Sequence, residues 1–280
     1  ALETSKNYIQ STDPNNDLSY TSSLSTKVNI NGYDLRKIDD KLLINFSTYQ
    51  TNQNDDENSS LPTVLPFVNY SSGIYKYNKF SYENNFELYN IFRDQKTTDY
   101  AKEQQKLSHN LSFSKNLVNF NSNIVLEGQL FNQFYNTAKK NIKNNEEHTG
   151  NIFRTFPIAG IRINTPFKLN KNIFDFTYKP SLSLILSPGK SNSEKISNED
   201  SSLNTYSANN EINLNRYAGS DKLDNSKRVV TSFNINNEKF QMNLSQSYEF
   251  TNNSNFHYDA GNNDNLGNLL GSIYYKHFLN

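Results

Sequence analysis

The stretch Phe240-Gln-Met-Asn-Leu-Ser-Gln-Ser-Tyr-Glu-Phe250 decides the fold. Read with a period of two, Phe240, Met242, Leu244, Tyr248 and Phe250 share one side and Gln246 alone interrupts it. Gln241, Asn243, Ser245, Ser247 and Glu249 share the other. A helix would put Phe240, Asn243, Leu244 and Ser247 on one face and so mix the two classes. The segment reads as a long strand with a greasy side and a wet side. Repeated along a chain, that pattern describes a large antiparallel sheet or a transmembrane β-barrel.

Composition sharpens the choice. Only 34% of the 280 residues are hydrophobic, a value that starves an ordinary core, yet 18 Tyr and 19 Phe are present. Disordered chains are poor in aromatics. A barrel reconciles the two, because only alternate strand residues face lipid and the interior can be wet. A soluble β-helix or fibre is the competing class. The 28 basic and 28 acidic residues cancel, which leaves no basic footprint for nucleic acid. With no cysteine, thiolate metal sites and disulfides within the chain are excluded. His109, His148, His257 and His277 lack ligand spacing, so neither metal nor cofactor is expected. No run of 18 apolar residues is present, so no transmembrane helix is expected. Ala1 to Lys6 lacks the apolar region of a secretion signal.

Outward from Phe240, the same alternation gives about twelve strands, many of them near the 9 to 11 residues that cross a bilayer obliquely. Segments 18–30, 42–50, 67–77, 80–92, 107–118, 120–134, 152–167, 173–186, 211–217, 228–236, 239–250 and 269–278 qualify. Asn31-Gly32 reads as a tight hairpin turn. Pro62 and Pro66 mark a strand start or a bulge, since proline cannot donate to a ladder. Segment 136–150 reads as a long charged loop, and 191–210 as a long polar one. Leu182, Leu184, Met242 and Leu244 are expected to face lipid, and Ser245 the lumen. Ile185 breaks the alternation of its strand. Tyr274, Tyr275 and Phe278 are candidates for an interfacial aromatic girdle. No break divides residues 1–280, so one domain is expected.

Between Asn151 and Phe233 the sequence resembles the lipopolysaccharide-assembly proteins of the outer membrane, also called organic-solvent-tolerance proteins. Arg154-Thr-Phe-Pro-Ile-Ala-Gly160, with Pro157 and Gly160, resembles the start of a central barrel strand in that family, and Asn164-Thr-Pro-Phe167 follows it. Ile196-Ser-Asn-Glu-Asp-Ser201 resembles the family's Pro-Asn-Glu-Asp-Ser box, with Ser197 in place of proline and Asn198, Glu199, Asp200 and Ser201 retained. Asn213-Leu-Asn-Arg216, with Asn215 and Arg216, is similar to an Asn-Arg stretch. Tyr217-Ala-Gly-Ser-Asp221 resembles a Gly-Tyr-Asp element through Gly219 and Asp221, with Ser220 for tyrosine. Asp224-Asn-Ser-Lys-Arg228 resembles Glu-x-Gly-x-Arg and keeps Arg228. Leu61-Pro-Thr-Val-Leu-Pro-Phe67 looks like another strand start of the family, so the resemblance runs from about Leu61 to Phe250.

The resemblance implies an outer-membrane location in a Gram-negative cell and a barrel of about 26 strands. Twelve strands cannot enclose that barrel. The chain is therefore expected to be an incomplete section of it, without the family's periplasmic jellyroll. It implies lipopolysaccharide as the transported substrate, a lipoprotein plug, a periplasmic transport bridge and membrane lipids as partners. It further implies a polar lumen for the sugar, a lateral seam for the acyl chains, and no enzymatic step. A general porin and a soluble β-rich surface binding protein are the alternatives. Glu199 and Asp200 are adjacent, so they lack the separated pairing of a glycosidase. They also lack the alternating ligands of an EF-hand. The expected role of the box is to anchor its loop in or beside the lumen, against Arg216 or Arg228.

Overall fold

The computed structural model describes residues 23–51, 58–119, 121–143, 146–171, 174–190, 192–203, 208, 210–250 and 265–276. Its frame is an antiparallel meander. The strands are β1 (Ser23–Tyr33), β2 (Lys41–Thr51), β3 (Thr63–Ser71), β4 (Tyr75–Tyr77), β5 (Phe80–Phe92), β6 (Glu103–Asn119), β7 (Ser122–Asn141) and β8 (Glu147–Asn164). After them come β9 (Phe167–Lys171), β10 (Phe174–Leu186), β11 (Ser202–Leu203), β12 (Tyr217–Ala218), β13 (Lys227–Asn236), β14 (Phe240–Glu249) and β15 (Leu270–Tyr275). The sheet order is β1-β2-β3-β5-β6-β7-β8-β10-β13-β14-β15, so each long strand lies beside the next long one, and β11 and β12 pair apart from it.

Two short strands are detached ends of longer ones. β4 continues the line of β3 along β5 after a break at Gly73, whose φ of +64° suits glycine. β9 continues β8 along β10 beyond Thr165-Pro166. The expected prolines do both jobs assigned to them. Pro62 precedes β3, and Pro66 sits where the β3–β5 register shifts between Val64 and Phe67. Among the described residues the sheet is not closed, and β1 and β15 are its two edges.

The expected turn at Asn31-Gly32 is not there. Both residues are in β1, opposite Leu43 and Leu42, and the chain reverses at residues 34–40. Asp34 and Asp39 take positive φ, and the Asp40 carboxylate holds the Leu35 and Arg36 N–H groups at 2.6 and 2.9 Å. The expected loop at 136–150 is mostly strand, with β7 reaching Asn141 and β8 starting at Glu147. The expected strand at 211–217 is not one. Most of it is irregular, and Tyr217–Ala218 pairs only with Ser202–Leu203.

The two faces of the sheet differ as the alternation requires. On one face β5 presents Phe80, Tyr82, Phe86, Leu88 and Phe92, and β7 presents Ile124, Leu126, Leu130 and Phe134 in register with Leu117, Lys115, Leu111 and Leu107 of β6. β10 adds Leu182, Leu184 and Leu186, and β14 adds Met242, Leu244 and Tyr248. At about 3.3 Å per residue and a tilt of about 40°, the span from Ile124 to Phe134 covers roughly 25–28 Å of depth, the height of a barrel's lipid-facing band. β6, β7 and β8, at 17, 20 and 18 residues, run beyond that band and carry polar ends past it. Stacked rings gather at one rim of the band: Tyr75–Tyr82 at 5.0 Å, Phe167–Tyr178 and Tyr178–Phe233 at 6.1 Å. Tyr275 lies opposite Phe240 on the same side, Tyr274 has the other parity, and Phe278 lies outside the described residues.

The opposite face carries Gln104, Lys106, Gln133, Tyr135, Arg154, Ser183 and Arg228. Segment 187–226 folds back across it. Ile185 belongs here. It breaks the alternation because it is buried with Phe131, Phe156, Ile158, Leu214, Leu223 and Val230 in an apolar cluster between sheet and segment. Ser245 also points to this face, but it is only 1% exposed, so an arginine has no room there. Asn243, on the same face beside Leu244, is part-exposed and bonded only to Asn234 and Ser272. Leu244→Arg in the full-length protein is expected to cost about 2–4 kcal/mol of assembly at mid-depth. Asn243→Arg is expected to cost about 1 kcal/mol, the worth of an ordinary hydrogen bond. Heat-modifiability of the assembled protein separates them, and equal tolerance of both would reverse the assignment of faces.

Candidate functional site

The segment is fastened at three places. The first is built around Lys106, an inward residue of β6. Its ammonium lies 2.6 Å from Asp200, 2.7 Å from Glu87 and 3.0 Å from Asp221. Lys106 thus fills the position a cation would take among three carboxylates. Asp221 is the hub. The Tyr89 and Tyr135 hydroxyls donate to it at 3.0 Å, and the backbone N–H groups of Glu199 and Asp200 donate at 2.8 and 3.1 Å. Asp200 in turn accepts the N–H groups of Ser220 and Asp221 at 3.1 and 2.8 Å and the Ser201 hydroxyl at 2.7 Å. The two acidic turns therefore bind each other's backbone as well as the strand cation. Arg154 of β8 donates to the carbonyls of Ser220 and Asp221 at 2.6 and 2.9 Å, and to the Tyr135 hydroxyl at 3.2 Å.

The second fastening joins Glu199 to Arg93, at the end of β5, through a bidentate pair at 2.6 and 3.0 Å. Ser197 joins it there. Its N–H donates to Gln104 Oε1 and its carbonyl accepts Gln104 Nε2, both at 2.7 Å. A proline at 197 has no N–H to give. Ser197 uses that donor on a β6 side chain. The third is an arginine pair. Arg216 donates to Asp224 at 2.6 Å, to Glu211 at 3.0 Å and to Glu249 of β14 at 2.8 Å. Arg228 of β13 reaches Asp224 at 3.0 Å and the Glu211 and Asn213 carbonyls. Ser226 donates to Glu249 at 2.7 Å.

Two glycines are required by close approach. A Cβ on Gly219, where φ is +79°, would lie 2.4 Å from the Asp200 carbonyl oxygen. A Cβ on Gly160 would lie 2.7 Å from a terminal methyl of Leu214, so that side chain would have to shift within the apolar cluster. Asn198 closes its own turn with Ser201, at 2.7 and 3.1 Å, and Asn215 accepts the Asp224 N–H at 3.0 Å. The structure thus brings together Gly160, Asn198, Glu199, Asp200, Ser201, Asn215, Arg216, Gly219, Asp221 and Arg228. Pro157 stands apart on the opposite, outward side of β8. It lies beyond the last β8–β10 pair, Ala159↔Leu186, where β8 has β7 alone beside it and a missing N–H is tolerated.

The expected partners of the acidic box are corrected. Glu199 and Asp200 pair with Arg93 and Lys106, while Arg216 and Arg228 are taken by Asp224, Glu211 and Glu249. Sequence reading missed Arg93, Lys106, Tyr89, Tyr135, Glu211 and Glu249. Their one signal was parity: Tyr89, Lys106 and Tyr135 lie on the wet side of their strands, where a large side chain has to meet something.

Beside the segment lies a cavity of about 360 Å³ lined by Glu83, Ser112, Ser114, Gln129, Arg162 and Asn215 among others. Arg162 is held by Glu127 and the Ile212 carbonyl, both at 2.9 Å. The lining offers hydroxyls, amides and charges, a set that bonds polar hydroxylated groups and holds no nucleophile–base pair.

A long β-meander, apolar on one face and polar on the other with a folded-back segment, has the two-faced construction of a membrane β-sheet wall. The profile of the family described as "LptD: LPS transport system D" matches residues 4–277, and the chain belongs to that family. No curated protein matches it. The family is one of lipopolysaccharide transport and assembly rather than of enzymes, and its members are outer-membrane proteins.

Burial pushes the Asp200 carboxyl up, but the Lys106 ammonium and the donors around it outweigh burial and hold it below the ordinary carboxylate value. Burial pushes Asp221 up to about 6. Lys106 opposes the rise and the Asp200 charge adds to it, as three carboxylates around one ammonium require. The signs differ. Folded Asp221 keeps its proton up to about pH 6, while unfolded it loses it near pH 4. Its contribution to docking is therefore complete below about pH 4 and falls as pH rises to about 6. The contribution of Asp200 is present above the ordinary carboxylate value and is lost only as pH falls through its depressed one. Protease protection of segment 187–226 is expected to be greater near pH 5 than near pH 7, and Asp221→Asn is expected to flatten that difference. Lys106→Met strands three carboxylates, and its expected cost is about 3–5 kcal/mol of docking. Proteolysis of the assembled full-length variant measures it, and unchanged protection would show that the ion cluster does not hold the segment.

Proposed function

We propose that this chain forms a section of the wall of a barrel that carries lipopolysaccharide to the cell surface, and that segment 187–226 lies in its lumen. The observation that supports this most is the pairing of two opposed faces on one sheet. An apolar band of bilayer height lies on one side, and on the other is a polar face with a folded-back segment fixed to it by the buried pairs Lys106–Asp200 and Arg216–Glu249. A barrel wall needs both faces. The transported amphiphile poses the matching problem, since its sugar cannot cross hydrocarbon and its acyl chains cannot cross water. The polar cavity beside the segment suits the sugar, and a separated strand seam elsewhere in the wall suits the acyl chains.

Connection lengths orient the wall. The turns β1–β2, β6–β7 and β13–β14 leave from one end, while the long β10–β13 and β14–β15 connections leave from the other. Outer-membrane barrels have short periplasmic turns and long extracellular loops. In this reading the segment enters the lumen from the extracellular side, where a lipoprotein plug or the passing sugar can meet it. The periplasmic bridge belongs to the opposite end.

Glu199→Gln with Asp200→Asn removes the charges that meet Arg93 and Lys106. In the full-length protein it is expected to lower the amount of mature barrel–lipoprotein complex, with surface lipopolysaccharide falling in proportion. Both are measured separately. Normal complex with lost export would move these residues from scaffold to substrate path. Normal values for both would remove the segment from the function.

A further inference from the structure

The short-turn end carries a second built feature, which shares Ile74 with the lining of the cavity beside the lumen segment. In the β1–β2 turn, Leu35 and Ile38 are 54% and 76% exposed, and in the β3–β5 connection Ile74 and Tyr77 are 55% and 77% exposed. These residues lie at or beyond the rim of the band, where a hydrated turn would carry polar side chains. The turns are not loose. The Asp40 carboxylate holds the Leu35 and Arg36 N–H groups and accepts the Tyr70 hydroxyl at 3.3 Å, and Asp34 accepts the Asp39 N–H at 2.7 Å.

The two turns also hold each other. Lys37 donates to the Ile74 carbonyl at 2.7 Å and lies 3.6 Å from the centre of the Tyr75 ring. Gly73 approaches so closely that a Cβ would stand 3.0 Å from the Asp39 backbone. The Asp34 and Asp40 carboxylates are tied to backbone donors and Asp39 is exposed, while Arg36, Lys76 and Lys79 are exposed beside Lys37, so the two turns carry four cations against three carboxylates. Just above them Lys115 lies 4.3 Å over the Phe80 ring, on the outward parity.

Rigid apolar tips flanked by cations match one surface by chemistry, an anionic lipid interface. The tips enter the boundary of the acyl region, and the cations meet phosphates. We propose that the paired β1–β2 and β3–β5 turns form a foot that docks on anionic phospholipid headgroups of the leaflet at the short-turn end. The proposal rests on reading the sheet as a membrane wall.

The test uses the full-length protein, purified and reconstituted with mixtures of phosphatidylglycerol and phosphatidylcholine, with retained lipids read by native mass spectrometry. The wild type is expected to retain phosphatidylglycerol preferentially. Arg36→Gln, Lys76→Gln and Lys79→Gln together are expected to lower that preference at least fivefold, since each charge near an anionic surface contributes roughly a several-fold factor. If the triple variant does not assemble, Lys79→Gln alone, at the exposed tip of the β3–β5 connection, carries the test with an expected drop of roughly threefold. Leu35→Ser with Ile38→Ser is expected to lower retention of both lipids alike. Heat-modifiability of the same samples reports the wall separately: an assembled barrel with no headgroup preference sinks the foot and leaves the wall standing. An unchanged preference in the variants overturns the proposal. So does protection of the foot from surface labelling in lipid-free detergent, which would assign it to a second polypeptide.

Discussion

The ammonium of Lys106 among Glu87, Asp200 and Asp221 is the constraint on which the inner face depends. A lysine there cannot be left alone, because an unpaired buried charge is far costlier than a surface one. Nor can three carboxylates be gathered without it. The consequence reaches past the ion cluster. Once Asp200 and Asp221 sit on Lys106, the backbone on either side is fixed, and Tyr89, Tyr135 and Arg154 find their partners on it. Strand residues far apart in sequence then read one segment at one register. Hydrophobic contact alone would let the segment slide, since burial is roughly proportional to area and indifferent to direction.

The apolar cluster supplies what the charges cannot. Leu214 and Leu223 press on Phe131, Phe156, Ile158, Ile185 and Val230, so the segment gains from burial as well as from ion pairing. Gly160 makes this possible by letting Leu214 approach β8 closely. Leu214 and Leu223 flank the span that holds Arg216 and Asp221, so displacing one anchor strains the others. The polar and apolar fastenings divide the work, with direction coming from the ions and cohesion from the cluster.

Most of the sheet could be read from alternation, because a face turned to lipid forces a period of two on every strand it includes. The Phe240 stretch, the three leucines of β10 and the inward serines beside them all follow it. Reading failed where a strand residue answers to something other than lipid or water. Ile185 seemed a flaw and is a core residue, because the covering segment makes a dry patch on the wet side. Asn31-Gly32 suggested a turn, but Asp40 can cap a reversal further on, and the strand gains three more pairs by waiting for it. The acidic box was legible as an anchor, yet its partners were not. Arg216 and Arg228 are near in sequence, whereas Arg93 and Lys106 are near only once β5 and β6 are side by side. For the acidic box, pairing with the sheet outcompetes pairing along the chain, because neighbouring strands present rigid side chains at fixed height, whereas Arg216 and Arg228 are taken by Asp224 and Glu211 close by in sequence.

Ser197 shows how a turn of the segment gets its shape without a proline. A proline supplies a fixed φ and no donor, so it stiffens the turn through its own ring. Serine gives up that stiffness and adds an N–H and a hydroxyl. Here the N–H goes to Gln104, and the hydroxyl donates to Glu199 at 2.5 Å and accepts the Ala101 N–H at 3.0 Å. Order that a covalent ring would impose is replaced by bonds to β6 and to the β5–β6 connection. Those bonds exist only when the segment is docked. The turn in this chain therefore acquires its shape from the sheet beneath it, and the folding of the segment is tied to the completion of the wall.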